Sequence, residues 1–271
     1  MHRFWIAVLF TLCLASGERL NAADFATQVM EATFKLYHPD STATCFVVQR
    51  AATDQAPATL YLVTAAHVLE KTKGETATLV LRTAQPDGSY ERHDHSIPVR
   101  TGETPRWVKH ATHDVAVLKL ADPLPVPVPA LPEVVLANAE QLKASGVHLC
   151  SPLFVLTYPQ RFEANGAGLP IARQGIFASV PTLPITKQPT FFADFNTFAG
   201  DSGGPVFVAG EGGQPLLVGI ALAQSHQEEK SVGEYEEKLV RRPLGLGTVL
   251  HAQFIRETLD LANTPPEAGA K

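Results

Sequence analysis

The sequence predicts an all-β protein whose two halves each close into an antiparallel β-barrel, with a short C-terminal helix. Three observations carry this. Short β-like runs recur along the chain with turn residues between them: CFVVQ (45–49), TLYLVTA (59–65), ATLVLRT (77–83), VAVLKL (115–120) and LFVLTY (153–158), then GIFASV (175–180), TFFADF (190–195), PVFVAG (205–210), PLLVGIALA (215–223) and GTVLHA (247–252). Helical patterns are few, confined to 24–32, a turn after His67, and 251–262. Residues 122–132, DPLPVPVPALP, carry five prolines and read as a stiff, extended strap between halves of similar size. Regular short strands suit a sandwich or a barrel, and the strap makes two barrels the simplest architecture.

From the N-terminus, Met1-His2-Arg3 precedes the apolar run FWIAVLFTLCL and then the small residues Ala15-Ser16-Gly17 and Ala22-Ala23. A basic start, a short apolar core and a small-residue exit read as a secretory leader over 1–23. As a helix the run spans only about 16 Å, short of a bilayer core. No later segment is apolar enough to cross a membrane. With no N-x-S/T sequon, the expected location is the bacterial periplasm or the medium. The first barrel is expected over 24–121, the strap over 122–132, and the second barrel and helix over 133–262. A disordered tail is expected over 263–271. Gln85-Pro86-Asp87-Gly88 and Glu211-Gly212-Gly213 read as hairpin turns. The net charge of −5, with no basic stretch, argues against nucleic acid as a partner. Cys45 and Cys150 remain after the leader, either paired or as two buried apolar thiols.

The chemistry is concentrated in AGDSGGPVF (199–207), one serine set among three glycines, an aspartate and a proline. A plain turn accounts for one or two of these residues. A nucleophile on a tight loop, whose backbone N–H groups must reach a reacting oxygen, accounts for all of them. A serine hydroxyl needs a neighbouring base, and histidine titrates in the right range. His67 stands at the end of an apolar strand in LVTAAHVL, with small alanines leaving room beside it. Asp114 heads the apolar strand of HDVAVLKL, where a carboxylate can orient an imidazole. His110 and His113 read as loop residues. The alternation His93-Asp94-His95 lacks a third metal ligand at convincing spacing and reads as a solvated strand face.

Taken together, TAAH, DVAVL and GDSGGP resemble the trypsin/chymotrypsin-like serine proteases over roughly residues 40–258. The separations of 47 and 88 residues and the order His, Asp, Ser are similar to those of that family. The resemblance implies two six-stranded barrels with the active site in the cleft between them. It implies catalytic His67, Asp114 and Ser202, and an oxyanion hole formed by the N–H groups of Gly200 and Ser202. A specificity pocket would fall near Asn196 and Thr197, with walls from Ala221, Ala223 and Gly247. A protein or peptide substrate is implied, with no metal and no cofactor. The Y-P after Leu153–Thr157 is closer to bacterial, Deg-type relatives, with no PDZ domain expected here. The charged segment His226–Arg242 is expected as an insertion before the last strand, near the pocket or as an exposed loop. Two other readings accompany the endopeptidase: a non-catalytic module that binds peptides or a partner in the cleft, and an esterase-like acyl hydrolase.

Overall fold

The computed structural model describes residues 22–39, 41–53, 57–120, 123–180, 182–209, 215–232 and 237–264. The chain is mostly β-strand. In order, the elements are α1 (Ala22–Glu31), β1 (Thr33–His38), β2 (Ser41–Arg50), β3 (Thr59–Thr64), α2 (Ala66–Lys71), β4 (Thr76–Ala84) and β5 (Tyr90–Pro98). Then come β6 (Arg100–Thr101), β7 (Thr104–Pro105), β8 (Trp107–Lys109), β9 (Ala116–Lys119), β10 (Leu131–Pro132) and α3 (Ala139–Ala144). The second half holds β11 (Pro152–Thr157), β12 (Ile171–Ile176), β13 (Thr190–Asp194), β14 (Pro205–Val208), β15 (Leu216–Val232), β16 (Glu237–His251) and α4 (Gln253–Asn263).

Two sheets result. The first has the order β5-β4-β1-β2-β3-β9-β8, with β10 pairing parallel to β2. The second has the order β12-β11-β14-β15-β16-β13, and a bridge from Phe177 to Ala193 joins its two edges. Each sheet has its own apolar core, around Phe34, Leu62, Leu79 and Trp107 in one and Val155, Phe191, Val206 and Val249 in the other. A third cluster spans both sheets and both terminal helices. It includes Phe25 and Val29 of α1, Phe46 and Val63, Phe207 and Ile220, and Ile255 and Leu259 of α4. The i, i+4 spacing of Phe25 and Val29, and of Ile255 and Leu259, turns one stripe of each helix into this seam.

The proline strap is more than a spacer. Leu124, Val126, Val128 and Ala130 alternate with prolines and pack against the first core at a strand-like period of two. Its end, Leu131–Pro132, joins the first sheet through Val48 and Gln49.

Several elements differ from expectation. β1 and β5 are absent from the apolar runs, because β5 (YERHDHSIP) presents mostly polar side chains and is paired along one edge only. The strand expected at 175–180 lies at Ile171–Ile176, where IARQGI lacks an apolar run but pairs in full with β11. The expected insertion at His226–Arg242 continues β15 and β16 as a two-stranded ribbon, in register from His226 against Pro243 to Val232 against Glu237. The Gln85–Ser89 hairpin is closed by Gln85 N–H to Ser89 O and Gly88 N–H to Gln85 O. The turn at Glu211–Gly213, the leader up to residue 21 and the tail from 265 lie outside the described residues. Ala22 and Ala23 open α1, and Asn263 ends α4, where it accepts a hydrogen bond from Tyr61 Oη at 2.8 Å. Cys45 and Cys150 are both free thiols, one buried and one exposed. No described helix is long and apolar enough to cross a membrane.

His251 closes β16 with its ring against Phe191, 1% exposed, and burial pushes its pKa down from 6.5 to about 4. The unfolded chain therefore takes up a proton that the native state refuses. Stability is fully present above about pH 6.5 and declines as the pH falls toward 4, by about 3 kcal/mol in total. Urea midpoints measured from pH 7.5 to 4 should show this slope in the wild type and a shallower one in His251→Leu.

Candidate active site

His67 lies in the first turn of α2, directly after the buried end of β3. The helix begins at Ala66, and the small Ala65 and Ala66, both buried, let the loop of Ser202 approach this corner. Asp114 stands just before β9, which is hydrogen-bonded to β3, so the sheet itself brings the two residues together. The His67 ring Nδ1 is 2.6 Å from Asp114 Oδ2, and the His67 backbone N–H donates to Asp114 Oδ1 at 2.9 Å. This two-point grip places the imidazole proton on Nδ1 and leaves Nε2 as the acceptor. Burial works to raise the Asp114 pKa. Hydrogen bonds from the His67 side chain and from the His67 and Ala66 backbone outweigh it and hold the carboxyl below its ordinary value.

Ser202 comes from the opposite sheet, on the loop between β13 and β14. Three glycines allow that loop to press against its neighbours. At Gly200, with φ +101°, a Cβ would sit 2.3 Å from Tyr158 O. At Gly203, with φ +87°, it would meet Thr64 Oγ1 at 2.1 Å, Thr44 O at 2.3 Å and Ala65 N at 3.0 Å. The serine loop thus packs directly on the residues that precede His67. Thr44 of β2 pins it from the other side: its N–H donates to Ser202 O at 3.1 Å and its hydroxyl to Gly200 O at 2.7 Å. Ser202 Oγ donates to Leu222 O at 2.9 Å, and no hydrogen bond joins it to His67.

The orientation of the Gly200 amide is set by its neighbours. The Ala199 carbonyl accepts from Gln160 N–H at 2.6 Å, and in a trans peptide the Gly200 N–H must point the other way. Among the described residues, neither the Gly200 nor the Ser202 N–H is engaged in a hydrogen bond. Two unspent donors flanking a hydroxyl can serve a developing oxyanion.

The residues expected around the pocket divide. Thr197, Ala221 and Gly247 are buried, and a Cβ on Gly247 would lie 3.0 Å from Thr197 Cγ2, so these two share one wall. Asn196 is exposed, and its carbonyl accepts from Arg173. Ala223 pairs with Thr248 in the ladder of β15 and β16. His110 bonds Glu257 Oε2 of α4 through Nε2 at 3.0 Å, while the His113 ring lies 3.8 Å from that of Phe254. Asp94, between His93 and His95, is taken up by Arg92 and Tyr37. Sequence reasoning missed Thr44, Gln160 and Arg173. All three act on the serine loop from sequence-distant strands or turns, and no local pattern marks them.

A family model described as a trypsin-like peptidase domain matches residues 43–220. A comparison with curated proteins finds no match. Among solved structures, two inactive forms of Rv3671c are similar to this chain. One is from M. tuberculosis H37Rv and is a serine-to-alanine mutant, 19% identical with a TM-score of 0.45, covering 89% of this chain and 92% of that one. The other, an inactive form of the Rv3671c protease, is 18% identical with a TM-score of 0.44, covering 88% and 92%. With the match spanning more than half of its length, this chain belongs to the trypsin-like peptidase domain family.

Proposed function

We propose that this protein is a serine endopeptidase, secreted or periplasmic, acting through His67, Asp114 and Ser202 and an acyl-enzyme. In this reading each sheet curls into one of two barrels and the substrate lies across the cleft between them. The observation that carries the reading is the pairing of His67 Nδ1 with Asp114 Oδ2 at 2.6 Å, at the corner where Gly203 presses on Thr64 and Ala65. Ser202 Oγ turns from Leu222 O toward His67 Nε2, gives up its proton there and bonds to the scissile carbonyl carbon. The carbonyl oxygen takes the electron pair and is met by the Gly200 and Ser202 amides. His67 then returns the proton to the leaving amine, and water repeats the sequence to free the acid.

The bond from Ser202 Oγ to Leu222 O favours a second reading, a cleft that binds peptides without cutting them. A fluorophosphonate separates the two, since only an activated serine is labelled. A peptide-library digest then separates an endopeptidase from an esterase-like acyl hydrolase. Ser202→Ala and His67→Ala should each lower kcat by roughly 10⁴–10⁶, and Asp114→Asn by about 10⁴ through the wrong imidazole tautomer. Stopped assays on a cleavable peptide check this, and wild-type turnover in Ser202→Ala would sink the assignment.

The pocket reading makes a separate claim. Asp201, beside the serine, is 1% exposed and bound to Arg173, so it is not free to meet a basic substrate side chain. Thr197, Ala221 and Gly247 offer no charge. An arginine or lysine there would be buried without a partner, which is costly. Cleavage should follow small or medium uncharged residues, and a digest dominated by cuts after Arg and Lys would refute the pocket.

A further inference from the structure

Arg173 reaches from β12 into the back of the serine loop. Its Nη2 donates to Asp201 Oδ2 at 2.7 Å and to Thr157 Oγ1 at 2.7 Å, and its Nη1 donates to the Asn196 carbonyl. The rings of Phe195 and Phe198 flank the guanidinium at 5.8 and 5.7 Å. One planar fork therefore touches both ends of the segment 196–201 and the strand beneath it. A guanidinium suits this place because its donors are fixed in a plane and its faces stack on aromatic rings.

Asp201 passes that grip into the loop. The oxygen held by Arg173 also accepts the Phe198 N–H at 2.7 Å, and the Asp201 N–H donates back to Phe198 O at 3.0 Å. This closes a tight turn whose middle residues are Ala199 and Gly200. The other Asp201 oxygen is buried and has no hydrogen-bond partner among the described residues. The Asp201 side chain is only 2% exposed, and Arg173 is its one ion-pair partner among the described residues. Without the guanidinium, a carboxylate in this place loses its counter-charge. The loop must then open to water, because breaking a buried pair is strongly unfavourable.

We propose that Arg173 is the positioning residue of the oxyanion loop: a built-in counter-ion that, through Asp201, holds the Gly200 and Ser202 amides in the geometry that catalysis needs. This rests on the endopeptidase reading for its functional part. Competence of the loop is then a property of the folded chain itself, since the cation is supplied by a strand and needs no other group to be delivered to Asp201.

The test uses the full chain and three variants, Arg173→Met, Arg173→Lys and Arg173→Gly, with two readouts. One is hydrogen exchange of peptides covering 195–204. The other is the rate of fluorophosphonate labelling at Ser202. In Arg173→Met, exchange of the loop should rise by about tenfold or more while β14 to β16 stay protected. Labelling should slow by roughly 10²-fold, the cost of an oxyanion site displaced by about an ångström. Arg173→Lys keeps the charge without the fork and should fall between wild type and Arg173→Met in both readouts. It carries the test if Arg173→Met does not fold. Guanidinium ion, kept below its denaturing range, should restore part of the labelling in Arg173→Gly, and sodium at equal ionic strength should not.

A loop that stays protected in Arg173→Met, or labelling at the wild-type rate, overturns the proposal. Arg173→Lys matching wild type in both readouts overturns the role of the fork. If the wild type itself is not labelled, the endopeptidase reading fails. Loop exchange still decides whether Arg173 holds the turn.

Discussion

The structure depends on one buried residue, Thr44. Its side chain and backbone link β2, the serine loop and the start of the loop at Tyr158 in a single knot. The hydroxyl donates to Gly200 O and accepts the Tyr158 N–H at 3.1 Å, the amide donates to Ser202 O, and the carbonyl accepts from Thr64 Oγ1 at 2.8 Å. Every polar group of a wholly buried threonine is thereby satisfied, as burial demands. The consequence is geometric. Ser202 belongs to one sheet and His67 to the other, and Thr44 and Thr64 set the distance between those sheets at the point where they meet. A valine of the same shape in place of Thr44 would keep the packing but strand the Gly200 carbonyl and the Tyr158 amide in a dry place.

A second anchor lies behind the first. Arg82, 4% exposed, donates to the carbonyls of Met30, Glu31 and Thr33 and to Gly168 O, with its guanidinium 4.8 Å from the Phe34 ring. Two of those carbonyls end α1, where a cation also meets the negative pole of the helix. Tyr158 donates to the same Gly168 carbonyl at 2.8 Å. The loop from Tyr158 to Gly168 is thus fixed at both ends, and Gln160 within it holds the Ala199 carbonyl. Gln160 and Arg161 adopt positive φ, 50° and 71°, without the freedom of glycine. Such a conformation persists only where the surroundings enforce it. Here they do, through Lys35, whose ammonium donates to Arg161 O at 3.0 Å and pairs with Glu163 at 2.6 Å.

How much of this was legible follows from which contacts are local. TAAH, the aspartate heading an apolar strand and GDSGGP each carry their meaning within a few residues, so the pairing of His67 with Asp114 could be anticipated. The proline strap was visible as a strap, and the period-two alternation of Leu124, Val126, Val128 and Ala130 explains why it lies on the first core. β5 was not visible, because an edge strand with mostly polar side chains has no apolar run. The ribbon strands at 226–232 and 237–243 were hidden by their charges, which suit a solvated loop equally well. Arg173 and Thr44 were beyond reach for another reason. Their partners are 28 and 156 positions away, at Asp201 and Gly200, and only the folded sheets bring them together.

The same logic explains why the aspartate loop is as well held as the serine loop, although nothing in its sequence suggests it. His110 Nδ1 accepts the N–H groups of Thr112 and His113, both at 3.2 Å, so Nε2 carries the N–H that donates to Glu257 Oε2 of α4. His113, immediately before Asp114, lies against Phe254 of the same helix, the rings tilted by 45°. Helix α4 in turn is buried through Ile255 and Leu259 in the cluster that spans both sheets. The loop that carries Asp114 and the loop that carries Ser202 are therefore fastened to one continuous apolar seam, by polar contacts at its two margins. A seam of this kind resists small displacements, because close-packed interiors do not deform smoothly. His110 and His113 are loop residues, as expected, and they brace the backbone on which Asp114 stands.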